Sequence, residues 1–116
     1  MYDFSNIFED KNLDGVNISA WDVSNGKYFT SMFRSASNLN CDLSAWDVSK
    51  GIDFKMMFNN TKNMNIGNIG KWNVSSGEIF NRMFELARWF NCDISGWETE
   101  NAGDIEYMFR GCSTFN

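Results

Sequence analysis

The chain repeats one sequence pattern four times, and each copy is marked by a tryptophan. These tryptophans, Trp21, Trp46, Trp72 and Trp97, are 25, 26 and 25 residues apart. A Met-Phe pair follows each of them 11 positions later, at Met32-Phe33, Met57-Phe58, Met83-Phe84 and Met108-Phe109. A period of roughly 20 to 50 residues is typical of proteins in which each repeat packs against the next and cannot bury its apolar face alone. The period therefore constrains the fold more strongly than any local propensity.

Within one repeat, the apolar spacing changes from one segment to the next. Leu43, Trp46 and Val48 follow the L-x-x-L-x-L spacing of leucine-rich repeats, and the alternation at the last two predicts a short strand. Gly51 predicts a sharp turn with unusual backbone angles. The apolar residues that follow have helical spacing, at Phe54, Met57, Phe58 and Met64, with Asp53 as a candidate helix cap. Each repeat is therefore predicted to contain a short strand, a turn and a short helix.

These elements predict an α/β fold, a leucine-rich-repeat-like solenoid of about 4.5 repeats. The repeats of 25–26 residues form a single domain over residues 1–116. We expect the strands to line up as a parallel sheet on one side and the helices to line the other. The chain stops at Phe115-Asn116 without a polar capping repeat. We therefore expect it to be a fragment, or to be covered at its C-terminal end by another chain or by further repeats.

Composition argues against several classes of function. The net charge is −5 without a basic cluster, which disfavours binding to nucleic acid, and no apolar run is long enough for direct membrane insertion. The chain has no histidine, and its three cysteines have no C-x-x-C spacing. Neither a nucleophile–base pair nor a phosphate-binding glycine loop is present. We expect no catalytic residue, metal site or cofactor, and no enzymatic activity.

The recurring aromatic side chains have two interpretations, a platform on which a ligand stacks or a structural core. Their fixed register with glycine and asparagine favours the core. The predicted core residues are Trp21, Trp46, Trp72, Trp97, Phe33, Phe58, Phe84 and Phe109. A recurring asparagine column, either a polar binding row or a ladder bonded to the backbone of the neighbouring repeat, comprises Asn40, Asn65, Asn91 and Asn116. The ladder is the favoured interpretation, because buried backbone groups need partners.

The outward positions of the predicted strands carry most of the variable polar residues. They comprise Asp22, Ser24, Asp47, Ser49, Asn73, Ser75, Glu98 and Glu100. On the outer face of a parallel sheet these side chains would lie about 5 Å apart, so neighbouring carboxylates would repel one another. Three interpretations stay open: ordinary solvated residues, an acidic face for a basic partner, and a cation site. This row is the candidate binding site.

Two stretches resemble a known family of bacterial surface proteins. Residues 42–49, Asp-Leu-Ser-Ala-Trp-Asp-Val-Ser, and residues 109–115, with the form F-x-x-C-x-x-apolar, look like the 26-residue repeat of the BspA-like leucine-rich repeat group. The resemblance implies a cell-surface or extracellular location and a role in adhesion. The chain departs from that family in its glycine column and in the absence of a signal peptide, which leaves a virion or cytoplasmic location open.

Taken together, these features predict a non-enzymatic module for surface recognition or adhesion. It would bind a protein or glycan partner through the outer face of its parallel sheet. The alternative is a structural or docking component of a larger assembly such as a virion.

Overall fold

Consecutive repeats lie side by side in parallel and are joined through their backbones. A computed structural model of the chain describes residues 2–112. The Phe33 N–H donates to the Met57 carbonyl in the next repeat at 2.9 Å, and the Phe58 N–H donates to the Met83 carbonyl at 2.8 Å. Isolated parallel bridges pair equivalent positions of neighbouring repeats, at Asp3–Tyr28–Asp53–Ile79–Asp104, Asn12–Ser37–Lys62 and Asn40–Asn65. Each repeat therefore forms one coil, meaning one turn of the chain that lies beside the turn formed by the next repeat. The sequence period is the number of residues from a position in one coil to the equivalent position in the next.

The predicted α/β leucine-rich-repeat-like solenoid is wrong. The only regular element among the described residues is a 3-10 helix at Ile69–Lys71, whose N-cap Asn68 accepts a hydrogen bond from the Gly70 N–H at 3.0 Å. Parallel pairing within the described range is limited to isolated bridges, so there is no sheet to carry a binding face. The molecule is compact, measuring 35 × 33 × 21 Å.

The predicted helices are replaced by tight turns. In the segment from Phe29 to Leu39, Ser31 and Ser35 have left-handed backbone angles, with φ of 55° and 60°. A right-handed helix cannot pass through such residues. The Ser31 and Phe33 N–H groups donate to the next repeat, while those of Met32 and Arg34 donate three residues back. The apolar residues of this segment are nonetheless buried, which explains how their spacing suggested a helix.

The predicted strands are also absent. Turns at residues 44–45 and 49–50 flank the segment that begins at Trp46. The Trp46 N–H donates to the Leu43 carbonyl at 3.0 Å, so the backbone bends back on itself where the strand was expected. Asp53 does not cap a helix, because its carboxylate accepts from the Lys55 N–H at 2.9 Å in a turn. Only the inward direction of Trp46 and Val48 is retained, and both are buried.

The core consists of aromatic rings stacked from repeat to repeat. One series runs through Phe4, Phe29, Phe54 and Phe80 with centroid separations of 5.5, 5.5 and 5.3 Å. A second runs through Phe8, Phe33, Phe58, Phe84 and Phe109 with separations of 5.5, 5.3, 5.6 and 5.9 Å. Phe33, Phe58 and Phe84 are fully buried, whereas Phe109 is half-buried. These stacked rings join the hydrophobic core of each repeat to that of the next.

Each buried tryptophan links its repeat to the one before it. The indole N–H groups of Trp46, Trp72 and Trp97 donate to the carbonyls of Ile18, Leu43 and Ile69 at 3.1, 2.8 and 3.1 Å. Trp21 departs from the prediction, because its side chain is 42 % exposed. Among the described residues no equivalent carbonyl lies before it, and its ring contacts the Phe8 ring at 5.2 Å.

The glycine column has a steric cause. A Cβ atom on Gly26, Gly51 or Gly77 would collide with the ring of the phenylalanine three residues later. None of these three glycines has a positive φ. The predicted unusual backbone angles are therefore wrong, and glycine is required because a ring of the core packs directly on the backbone.

Candidate binding groove

The outward polar row forms local turns. Oδ1 of Asp22 accepts from the Ser24 N–H at 3.0 Å and from its hydroxyl at 2.5 Å. Asn73 accepts in the same way from Ser75, at 3.0 and 2.7 Å. Asp47 Oδ1 accepts from the Ser49 N–H at 3.0 Å. Such turns are a common use of Asp and Asn followed two residues later by Ser, so the recurrence of this pair has a structural explanation.

These hydrogen bonds also shift the acidity of the row. The hydroxyl and the backbone N–H of Ser24 lower the pKa of Asp22. The pKa of Asp47 is lowered chiefly by the same two groups of Ser49; Lys50 adds to the effect and the Asp22 carboxylate opposes it. Hydrogen bonds to the ionised form therefore outweigh repulsion between neighbouring carboxylates. Asp22 and Asp47 can therefore stay ionised without a bound cation.

Part of the row borders a shallow groove of about 290 Å3, which contains Asn73, Ser75 and Glu98. Glu98 and Glu100 are exposed. Because the sheet is absent, these residues do not share the predicted sheet face. Their binding role stays a prediction.

The predicted asparagine ladder is wrong for the residues that the structure describes. Asn40, Asn65 and Asn91 are exposed, and none of their side chains forms a hydrogen bond within residues 2–112. Asn40 and Asn65 meet through a backbone bridge instead. Asn116 lies outside the described residues.

A different asparagine ladder connects three repeats. The Asn38 side chain donates from Nδ2 to Asn12 Oδ1 at 3.0 Å, and Asn63 Nδ2 donates to Asn38 Oδ1 at 3.2 Å. The three residues directly precede Leu13, Leu39 and Met64, so their recurrence was visible in the sequence one position before the apolar column. Every step has the same polarity, with the later repeat donating to the earlier one.

The ladder ends at Trp89, which occupies the next equivalent position. Its indole N–H donates to the Thr61 hydroxyl at 2.7 Å, and that hydroxyl donates to the Phe58 carbonyl at 2.7 Å. Edge-on contacts with Phe58 and Phe90, at 5.9 and 5.7 Å, hold the ring on two further sides. Trp89 is therefore fixed at the surface, half-buried, where the regular pattern breaks.

An open groove of about 490 Å3 lies beside this ring. Its walls combine two apolar side chains, two amides, two cations and one hydroxyl: Leu86, Trp89, Asn60, Asn63, Lys62, Arg88 and Thr61. Leu86 is 39 % exposed and has a left-handed backbone, with φ of 62°. Asp10, Ser35, Asn60 and Gly111 occupy the equivalent left-handed positions. A bulky aliphatic residue in this conformation is strained, and such strain is concentrated at functional sites.

A column of polar side chains runs through five successive repeats, at Glu9, Arg34, Asn59, Glu85 and Arg110. Arg34 lies 3.6 Å from Glu9 and donates from Nε to Asn59 Oδ1 at 3.4 Å. Asn59 donates to Glu85 at 3.0 Å, and Arg110 pairs with Glu85 at 3.3 Å. Glu85, which is 4 % exposed, also accepts from Arg82 at 3.0 Å. Asn59 and Arg110 of the column and the nearby Arg82 all bond to Glu85, so Glu85 has a structural role, which the sequence repeat did not reveal.

Residues 2–112 show neither a metal cluster nor a disulfide. In this range no three His, Cys, Asp or Glu side chains are grouped closely enough to hold a metal ion. The thiols are free and half-buried, and burial raises the pKa of Cys92 and of Cys112. Within the same range no helix has the length and apolar character needed to cross a membrane.

The comparisons with known proteins correct the family assignment. Neither the curated proteins nor the solved structures contain a match to this chain. The model of the family DUF285, described as a Mycoplasma protein of unknown function, matches residues 2–116. The resemblance to the BspA-like leucine-rich repeat group is therefore wrong, and the surface location it implied loses its support. The chain belongs to the DUF285 family.

Proposed function

We propose that this chain is a recognition module without enzymatic activity, which binds a protein or glycan partner at the groove beside Trp89. One observation carries the proposal: the repeat breaks at this point, and the break leaves an anchored aromatic ring in an open groove of about 490 Å3. A rigid aromatic surface with a few convergent polar groups is typical of binding pockets.

The groove is a better candidate than the outward polar row. In that row, Oδ1 of Asp22, of Asp47 and of Asn73 accepts a hydrogen bond within a turn. A wider groove of about 680 Å3 contains Lys50 and Asn101, which bond to Asn25 and to the Ser75 carbonyl. Its lining has no aromatic side chain. Trp72 lines the groove of the row but is only 3 % exposed, so its ring is not accessible to a ligand. The Trp89 groove combines a half-buried aromatic ring with exposed polar side chains.

The test is binding of a defined set of probes to the whole chain, measured by calorimetry. The probes are a neutral trisaccharide, a trigalacturonate, a poly-glutamate peptide, a poly-lysine peptide and adenosine monophosphate. We expect at least one probe to bind, and we expect Trp89→Ala to weaken that binding at least about tenfold, since buried aromatic anchors dominate binding energy.

Trp21→Ala is the matched control, because Trp21 is also an accessible tryptophan but lies outside the groove. It should leave binding unchanged. Thermal unfolding of both variants shows whether each is folded. The proposal fails if no probe binds at millimolar concentration, or if a folded Trp89→Ala variant binds as well as the original chain.

A further inference from the structure

We infer that the Asp14–Gly15 bond is a site of spontaneous modification, where the aspartate converts to isoaspartate, and that the fold protects the more labile Asn25–Gly26 bond from the related reaction. These are the two places in the chain where Asp or Asn directly precedes Gly. Glycine favours the reaction because it has no side chain to hinder attack by its own backbone nitrogen. The inference goes beyond the proposed function and does not depend on it.

The reaction at Asp14 uses the backbone nitrogen of Gly15 as the nucleophile. This nitrogen bonds to Cγ of the protonated carboxyl group, and the hydroxyl of that group leaves as water together with the proton of the N–H. A water molecule then adds to the five-membered succinimide ring. If the ring opens between the nitrogen and the main-chain carbonyl carbon, the chain continues through Cγ. The product is isoaspartate, which has the same mass as aspartate.

The reaction at Asn25 differs only in its leaving group. Here the nitrogen of Gly26 would attack Cγ of the amide, and ammonia would leave. Addition of water to the ring then gives aspartate or isoaspartate, and the mass rises because water has replaced ammonia. An amide closes the ring more readily than an ionised carboxylate, so an unfolded chain would react faster at Asn25 than at Asp14. The folded structure reverses this order.

The Gly15 nitrogen is accessible because of the turn that contains it. The Val16 N–H donates to the Leu13 carbonyl at 3.0 Å, and Gly15 has a φ of 77° at the third position, as in a type II turn. Such a turn does not use the N–H of its third residue. That of Gly15 forms no hydrogen bond within residues 2–112. The nucleophile is therefore not restrained by the fold.

The surroundings of the turn leave room for the ring to close. Asp14 and Gly15 are both exposed, and a Cβ atom on Gly15 would meet nothing within 4 Å. The Asp14 N–H donates to Asn12 Oδ1 at 3.1 Å. The Asp14 carboxylate, by contrast, accepts no hydrogen bond from any residue that the structure describes. Both reacting groups can therefore approach each other without breaking a packed contact.

The Gly26 nitrogen is held in the opposite situation. Its N–H donates to the Val23 carbonyl at 2.8 Å, and the residue is buried. A Cβ atom there would collide with the Phe29 ring, so the backbone lies directly against the core. To attack Asn25, the nitrogen would have to lose its hydrogen bond and rotate inside close-packed surroundings. The reaction therefore needs a local opening of the fold.

This protection is a property of the repeat. Gly51 and Gly77 occupy the equivalent positions, are also buried, and donate to Val48 and Val74 at 2.8 Å in each case. The residues before them are lysine and serine, which cannot form a succinimide. Asn25 is therefore the one labile side chain that precedes these three glycines.

The test follows both bonds during prolonged incubation of the whole folded chain at neutral pH. Isoaspartate is detected with isoaspartyl carboxyl methyltransferase and S-adenosylmethionine, and its position by mass spectrometry of proteolytic fragments. We expect isoaspartate at residue 14 and an intact amide at Asn25. Unfolding in denaturant should accelerate the loss of ammonia from Asn25 at least about tenfold but change the rate at Asp14 less than about threefold, because only Asn25 needs an opening.

Two variants identify the cause of each result. Asp14→Glu should remove the isoaspartate signal of the folded chain, because a glutamate would have to close a six-membered ring, which forms far more slowly. Lys50→Met removes the hydrogen bond from Nζ to Asn25 Oδ1 at 3.2 Å but leaves the bond between Gly26 and Val23 in place. Asn25 should therefore stay intact in the folded Lys50→Met variant.

The outcomes separate the two halves of the inference. A folded chain that reacts faster at Asn25 than at Asp14 overturns it, as does a folded chain that forms no isoaspartate at residue 14 while the unfolded chain does. Loss of ammonia from folded Lys50→Met at the rate of the unfolded chain would show that the lysine, rather than the backbone bond of Gly26, protects Asn25, and would overturn the mechanism of protection.

Discussion

At the scale of single residues, the fold depends on glycines whose backbone lies directly against a phenylalanine ring of the core. Gly26, Gly51 and Gly77 each lie under a phenylalanine of the core, and a methyl group there has no space. The sequence showed that glycine recurs but not why. Glycine is usually associated with unusual backbone angles, and this association predicted the wrong cause for its recurrence. The actual cause is a phenylalanine ring whose position is set only by packing between coils.

Substitution of Gly51 provides a direct test of this packing. Gly51→Ala should lower the free energy of unfolding by about 1 to 3 kcal/mol, the usual range for overpacking a core, because its Cβ collides with the Phe54 ring. Gly96→Ala is the control, since its Cβ would meet nothing within 4 Å and its φ is not positive. Chemical denaturation measures both. Equal stability of the two variants would contradict the steric explanation.

At the scale of elements, the chain uses turns where helices and strands were expected. The apolar positions from Phe29 to Leu39 were recognised correctly as buried, because spacing reports which side chains face the core. It does not report backbone hydrogen bonds, which alternate here between local turns and the neighbouring repeat. Ser31 and Ser35, both left-handed, have no sequence signature strong enough to exclude a helix.

The tryptophans join one coil to the next, which can be tested by removal. Trp72 is 3 % exposed, stacks on Trp46 at 6.3 Å and donates to the Leu43 carbonyl. Trp72→Ala should lower the free energy of unfolding by about 3 to 5 kcal/mol, the cost of emptying a large aromatic site.

Trp21→Ala should cost less than half as much, because that ring is 42 % exposed and has no indole hydrogen bond among the described residues. Denaturation midpoints of the two variants provide the comparison. A Trp72→Ala variant as stable as the original chain would show that the indole bonds do not hold the coils together.

At the scale of the whole molecule, the regular repeat accounts for the fold, whereas the proposed binding site lies where the repeat is interrupted. The period, the stacking of successive repeats and most of the buried aromatic residues could be predicted from the sequence. The candidate site could not, because it depends on the direction of an amide ladder and on the residue that ends it. Trp89 lies outside the repeating tryptophan column, and only the structure shows that the amide ladder stops there, with its indole N–H bonded to Thr61 instead of Asn63.

The central claim is that the break in the repeat at Trp89 is the binding site. Nuclear magnetic resonance of the labelled chain during titration with each of the five probes tests it directly, since each tryptophan indole N–H gives its own signal. We predict that the Trp89 indole and the Asn63 side-chain amide shift together, while the indoles of Trp46, Trp72 and Trp97 do not. Shifts confined to other parts of the chain, or no shifts with any of the five probes at millimolar concentration, would contradict the account.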